Sequence, residues 1–302
     1  MSGKGRSNEW VTRNESVRPG DLAGLWESIV ACDDAKERLL NQALLALSLR
    51  PRLPFVSTGL HGLVLLYGPP GTGKTTLARG LTAQLAPLVP AKTVRLIEVN
   101  PHGLMSAEHG QSQQRVHELL CEQIPLLADD RKPTLVVLDE VESMAVARNA
   151  ASLSANPADV HRATDAVLTA LDQNAAEHPH IMTVATSNFT EALDEAFRSR
   201  ADAAIEMPLP DGQAIAAILA TTLRDFAAAY PVLGELATAA DLRRVADELS
   251  GLDGRRVRKV VTEALAGRRA TVVDPSQLTL ADLSLAAKRL KSQVNGANRA
   301  SV

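Results

Sequence analysis

The stretch that most constrains the fold of this chain runs from Leu63 to Leu85. An uninterrupted apolar run, Leu63-Val-Leu-Leu-Tyr67, leads into Gly68-Pro-Pro-Gly-Thr-Gly-Lys-Thr75, and Thr76-Leu-Ala-Arg-Gly-Leu-Thr-Ala-Gln-Leu85 follows with helical spacing. A buried strand, a glycine-rich turn and a helix N-terminus in that order make a phosphate cradle. Gly68, Gly71 and Gly73 let the backbone curl so that successive N–H groups point at phosphate oxygens, aided by the positive end of the helix. Lys74 places an ammonium on the β- and γ-phosphates, and the Thr75 hydroxyl is a ligand for Mg²⁺. Pro69, Pro70, Thr72 and Thr76 complete the set assigned to the nucleotide. The stretch predicts a site for ATP and Mg²⁺.

The chain beyond it repeats the alternation of strand and helix. Thr93-Val-Arg-Leu-Ile-Glu-Val99, Pro133-Thr-Leu-Val-Val-Leu138, His180-Ile-Met-Thr-Val-Ala-Thr186 and Ala203-Ala-Ile-Glu-Met207 read as strands, with helical patterns over 33–49, 111–127 and 160–174. Residues 101–110 and 148–160 read as loops. Near-continuous apolar strands alternating with helices predict an α/β fold with a parallel sheet covered on both faces, five-stranded here. At Pro208-Leu-Pro-Asp-Gly212 the texture changes, and 212–229, 238–250, 255–268 and 279–291 read as helices only. Thr279 is placed to cap the last of them. The expected organisation is a flexible polar tail over 1–20, a large α/β domain over 21–209 and a small all-α lid over 210–302.

Three further clusters carry chemistry. Leu135-Val-Val-Leu-Asp139-Glu140 is an apolar strand delivering two carboxylates, the Walker B pattern: Asp139 would hold Mg²⁺ through water and Glu140 would activate the attacking water as general base. Asn188 ends the next strand in Thr186-Ser187-Asn188, where it either orients water between those acids or merely closes a turn. Arg198 and Arg200 follow, as candidate fingers for a neighbour's γ-phosphate or as solvated cations paired with Asp194 or Glu195. In the helical part, Gly254-Arg255-Arg256-Val-Arg258-Lys259 puts cations at a helix N-terminus, where the dipole disfavours them, so an anionic partner or a solvated basic face must explain them.

Composition narrows the class. Aromatics are only 3%, so Leu, Val, Ile and Ala must fill the core. With 35 acids against 32 bases and a net charge of −3, no basic field points to nucleic acid. Cys32 and Cys121 match no metal or redox spacing, which predicts a reduced compartment. Residues 1–10 lack the apolar core of a secretion signal, and the run from Ala214 to Leu223 is too short to cross a bilayer. A cytoplasmic protein that binds neither membrane nor nucleic acid is expected.

P-loop, Asp-Glu, Asn, Arg and a late Arg before an α-helical lid is the order of parts in AAA+ ATPases, and several stretches resemble one branch of them. Gly24-Leu-Trp-Glu-Ser-Ile-Val30, Leu96-Ile-Glu-Val-Asn-Pro-His102, Asp139-Glu-Val-Glu-Ser-Met144, Ala147-Arg-Asn-Ala150 and Ala166-Val-Leu-Thr-Ala-Leu-Asp-Gln173 are similar to the HORMA-domain remodellers. So are Thr186-Ser-Asn-Phe-Thr190 and Arg200-Ala-Asp202. That branch holds the pachytene-checkpoint, or thyroid-receptor-interacting-protein, type and its bacterial relatives in anti-phage cyclic-oligonucleotide systems. The resemblance covers about residues 22–268. It implies a homo-hexamer that hydrolyses ATP to thread a HORMA-domain protein, bound to a closure peptide or a signalling nucleotidyltransferase, and unlatch it. By motif match Arg200 carries the finger role, with Arg198 a second candidate, and Arg255 the sensor 2 role. The chain departs from the family in two places: only a short tail stands where eukaryotic members carry a recruiting domain, and the first pore loop, Leu104-Met-Ser-Ala-Glu-His-Gly110, has no aromatic. Grip on a threaded chain would then fall to Met105, Glu108 and His109. Two other readings compete: a nucleotide-switched scaffold with little turnover, and a DNA-engaged AAA+ protein, which the acidic balance disfavours.

Overall fold

In the computed structural model the strand-turn-helix at Leu63 forms as its pattern requires, and the other strands assemble around it. The structure describes residues 10–30, 32–101, 104, 111–128, 131–146 and 157–300. In chain order the strands are β1 (Val11–Val17), β2 (Leu63–Tyr67), β3 (Val94–Val99), β4 (Thr134–Leu138), β5 (Ile181–Ser187) and β6 (Ala203–Glu206). They form one six-stranded sheet in the order β1-β3-β4-β5-β2-β6. All pairings are parallel except β1 with β3.

The helices of this part are α1 (Ala23–Glu27), α2 (Asp33–Leu49), α3 (Phe55–Thr58), α4 (Lys74–Leu85), α5 (Gln111–His117), α6 (Ile124–Leu127), α7 (Pro157–Glu177) and α8 (Glu195–Ser199). The helical part holds α9 (Gly212–Ala227), α10 (Leu233–Ala237), α11 (Leu242–Glu248), α12 (Gly254–Ala266), α13 (Arg269–Val273) and α14 (Leu280–Ala300). The chain folds into two compact units, Met1–Glu27 with Asp34–Gly68 and Lys74–Met207, and Ser28–Asp33 with Pro69–Gly73 and Pro208–Val302. Two segments that a linear reading leaves in the larger domain therefore group with the helical one.

Three sequence expectations need correction. Part of the stretch expected as a flexible tail is strand β1, which makes the sheet six-stranded and mixed rather than five-stranded and parallel. Its alternation is masked by polar residues because it is an edge strand, where one face and one backbone edge meet water. Side chains secure it: Thr12 Oγ1 donates to Glu98 O at 3.2 Å, and Arg13 Nε lies 3.4 Å from the buried Glu98 carboxylate. Secondly, the helix expected over 111–127 is interrupted by a π-helix over Glu118–Gln123. Pro125 follows, and the wider turn relieves the clash its ring would make with the carbonyl four residues back. Thirdly, the helix expected over 238–250 is shorter, α11 over Leu242–Glu248, and a separate short helix, α10, precedes it over Leu233–Ala237. The reciprocal cap at Thr279 is present: Asp282 N donates to Thr279 Oγ1 at 3.3 Å and Thr279 N to Asp282 Oδ2 at 3.0 Å.

In the larger unit β2 to β5 are almost wholly buried, and Leu65, Ile97, Val136 and Phe197 belong to one apolar core. The helical unit has its own, built on Leu219, Val245, Val260 and Leu283. The order β4-β5-β2 brings the C-terminal ends of three parallel strands side by side. Ligands of open α/β sheets bind at such ends.

Candidate nucleotide site

Each strand of that trio ends in a residue singled out from sequence. Gly68 closes β2 with φ +139°, and a Cβ there would lie 2.3 Å from Met207 O, so only glycine fits. Lys74 opens α4, is buried, and its Nζ donates to Gly68 O and to Asn188 Oδ1, both at 2.8 Å. Thr75 and Thr76 continue the first turn, half-buried.

At the end of β4, Asp139 Oδ1 accepts two hydroxyls, Thr75 Oγ1 at 2.6 Å and Thr186 Oγ1 at 2.5 Å. Glu140 stands in the left-handed region at φ +52°, a strain of about 1 kcal/mol or more for a side chain of its type. Thr186 holds it there by accepting the Glu140 N–H at 3.1 Å. After β5, Asn188 Nδ2 donates to Glu140 Oε1 at 3.3 Å, so the Asn188 amide bridges the Lys74 ammonium and the Glu140 carboxylate. Only one amide orientation serves both, oxygen to the cation and nitrogen to the anion. Its backbone is fixed as well: Asn188 N donates to Glu142 Oε1 at 3.1 Å.

Thr186 and Glu142 were missed as site residues from sequence. Both lie in quoted motifs, but their spacing carries no chemical signal. Only the β4–β5 register, which pairs Leu138 with Ala185, brings Thr186 beside Asp139.

Arg198 lies on α8 and is exposed, with no side-chain ion pair among the described residues. Arg200, just past the helix, is held instead: Nε and Nη2 grip the two oxygens of Asp172 at 2.7 and 2.8 Å, and Nη1 reaches Ala196 O at 2.9 Å. The partner is Asp172, not the Asp194 or Glu195 expected from sequence. Hydrogen bonding to Arg200 lowers the Asp172 carboxyl below its usual range, and Asp172 raises the guanidinium in return.

In the helical unit the tip of the phosphate loop, Pro69–Gly73, meets the start of α12. Gly71 has φ +79°, and a Cβ on it would fall 2.2 Å from Asp253 Oδ1. The Arg255 N–H donates to Gly71 O at 3.2 Å while its side chain is exposed. The cations at this N-terminus are partly offset, because Asp253 caps the helix through Arg256 N at 3.0 Å and pairs with the Arg256 guanidinium at 3.2 Å. Arg258 donates to Ser28 O, and burial lowers its pKa. Beside Thr72 lies a cavity of about 180 Å³ walled by Ile29, Val30, Pro208 and Ile218 among others.

The residues present fit ATP and Mg²⁺. Three glycines of the loop have positive φ, one ammonium is buried at its end, and a hydroxyl and a carboxylate stand together as hard oxygen donors. No cluster of three His, Cys, Asp or Glu that could hold a metal occurs among the described residues. Met105, Glu108 and His109, the expected pore-loop contacts, lie outside the described residues. No helix among the described residues is long and apolar enough to cross a membrane.

Comparison with known proteins agrees with this geometry. Residues 64–209 match the model of the ATPase family associated with various cellular activities (AAA). Over 288 residues the chain is 44% identical to CD-NTase-associated protein 6 of Pseudomonas aeruginosa, covering 95% of this chain and 93% of that protein. It is 32% identical over 286 residues to the pachytene checkpoint protein 2 homologue of Danio rerio, covering 86% of this chain and 66% of that longer protein. A chain in the structure of the HORMA:CdnC:Trip13 complex of E. coli MS115-1 shares the fold, with TM-score 0.71 at 17% identity over 92% of this chain and 94% of that one. The chain belongs to the AAA ATPase family, in the branch that holds CD-NTase-associated protein 6 and pachytene checkpoint protein 2.

Proposed function

We propose that this protein hydrolyses ATP to remodel a HORMA-domain protein, in the cytoplasm, as part of a bacterial cyclic-oligonucleotide anti-phage system. The observation that carries the hydrolytic half is the bridge Lys74–Asn188–Glu140, which presents a strained, oriented carboxylate beside a phosphate-binding ammonium. A protein that only held nucleotide would gain nothing from keeping Glu140 in the left-handed region. The remodelling half rests on kinship with proteins named for their association with a CD-NTase and for the pachytene checkpoint.

In this reading Lys74 binds the β- and γ-phosphates, and Arg255 is a further nucleotide-binding residue. Mg²⁺, when bound, neutralises charge on the β/γ-oxygens, with Thr75 and Asp139 as its protein donors. Asn188 fixes the water-activating carboxylate, and Glu140 Oε takes the proton from the attacking water. Arg200 of a neighbouring subunit in a homo-hexamer, with Arg198 as second candidate, neutralises charge in the transition state. The target is a HORMA-domain protein holding a closure peptide or a signalling nucleotidyltransferase, with no part for nucleic acid or membrane.

The test couples both halves. Glu140→Gln should retain ATP while turnover falls about 10²-fold or more, the cost of a lost general base, and release of a labelled peptide from its HORMA partner should stop with it. Near wild-type hydrolysis by Glu140→Gln would overturn the base assignment. Hydrolysis without peptide release by the wild type would overturn the remodelling.

A further inference from the structure

Arg200 is better secured than a residue awaiting a distant phosphate needs to be. A guanidinium has five N–H donors, and three of them are placed within the chain, two on Asp172 and one on Ala196 O. Among the described residues the other two remain for a partner elsewhere. A planar fork on a carboxylate fixes direction as well as position, which a single contact would not.

Asp172 is itself held. His61 Nε2 lies 3.2 Å from Asp172 Oδ1, and the His61 ring packs edge-on to Phe55 with centroids 4.9 Å apart. The His61 backbone N–H donates to Asp202 Oδ1 at 2.9 Å, while Asp202 Oδ2 accepts from Gly62 at 2.7 Å and Leu63 at 3.2 Å. Asp202 follows Arg200 by two residues, so a circuit closes: Arg200 to Asp172 on α7, to His61 before β2, to Asp202, and back along the chain. The arginine segment is thus tied twice to the same framework, once through its side chain and once through Asp202. Stability is a poor reason for the arrangement, since Asp172 is 45% exposed and such pairs contribute about 1 kcal/mol or less.

We infer that Asp172 and His61 are positioning residues that aim the Arg200 guanidinium at the nucleotide of the adjoining subunit. The inference rests on the reading of Arg200 as a finger, and its test separates the two. The experiment is a double-mutant cycle on the assembled protein, with steady-state ATPase and nucleotide affinity measured for Asp172→Asn, Arg200→Ala and the pair. Asp172→Asn should lower kcat about tenfold or more, as expected for a displaced catalytic group, with KM for ATP unchanged within about twofold. It should cause no further loss in the Arg200→Ala background. Asp172→Glu, which keeps the charge but lengthens the arm, should lower kcat similarly without lowering Tm, so a folding defect cannot imitate the result. His61→Gln should retain more activity than His61→Ala, because it keeps a donor for Asp172. Wild-type kcat in Asp172→Asn alongside a slow Arg200→Ala would overturn the positioning role, as would an equal loss in both backgrounds. Wild-type kcat in Arg200→Ala would overturn the finger reading instead.

Discussion

The carboxylates after β4 and the arginines around α8 belong to one unit but are held to different standards. Asp139 receives two hydroxyls on one oxygen, and Glu140 is fixed at its backbone by Thr186 and at its side chain by Asn188. Thr186 is 1% exposed, so these bonds form where water cannot replace them. Arg200 is held by the half-exposed Asp172 carboxylate and by Ala196 O, and the Arg198 side chain has no ion pair among the described residues. The first cluster is finished within the chain. On the proposed function the second acts on a neighbouring subunit's nucleotide, and there a desolvated surface would strengthen its pull on the phosphate charge.

Thr186 is the most buried point of the first cluster, and the place to break it. Thr186→Val removes both the donor to Asp139 and the acceptor for the Glu140 N–H while keeping the side chain's shape. Losses of about 10-fold to 100-fold are typical when a group that orients a metal-site ligand is removed. We expect that fall in turnover, together with a higher Mg²⁺ requirement, and a titration of activity against Mg²⁺ checks it. Unchanged activity would mean that Asp139 and Glu140 are held by the strand ends alone.

A smaller effect bears on the arginines. Arg268 grips Asp282 in the same fork as Arg200 and Asp172, with both bonds at 2.7 Å, but in the helical unit and away from any chemistry. Bonding to Arg268 lowers the Asp282 carboxyl to about 2. A depressed folded-state value stabilises the protein above the unfolded value near 4 and is lost as pH falls through about 2. Asp282→Asn should therefore cost about 1 kcal/mol or less at pH 6, and its Tm deficit should shrink between pH 5 and pH 3. Turnover should not change. A loss of turnover comparable to that of Asp172→Asn would show that the fork serves stability in both places.

The same contrast separates what could be read from the sequence from what could not. Leu63–Tyr67 and Asp33–Leu49 form with the limits their patterns set, because apolar period and proline stops act locally. Gly68, Asp139 and Asn188 converge because they follow the ends of parallel strands, and Lys74 joins them from the first turn of α4, as the motif order already implies. Strand β1 was hidden because its pattern is set by the edge of β3 and by Glu98, far along the chain. Asp172 stands 28 residues from Arg200, and no local rule pairs them. Pairing with Asp194 or Glu195 was the natural expectation, but Asp194 caps α8 through Ala196 N at 2.9 Å. Where topology chooses a side chain's partner, no local pattern names it.

On the proposed function the chain carries a hydrolytic site complete except for an arginine supplied by its neighbour. Mixing two inactive variants puts this to the test. Lys74→Ala should fail to bind nucleotide but still offer Arg200, while Arg200→Ala should bind ATP yet hydrolyse about 10³-fold more slowly or worse, the usual cost of a missing finger. Steady-state ATPase of an equimolar mixture should rise well above the sum of the two proteins measured separately, because some Arg200→Ala sites then face an intact arginine. A mixture that stays at that sum, although co-purification through a tag on one variant shows mixed assemblies, would rule out an arginine supplied in trans.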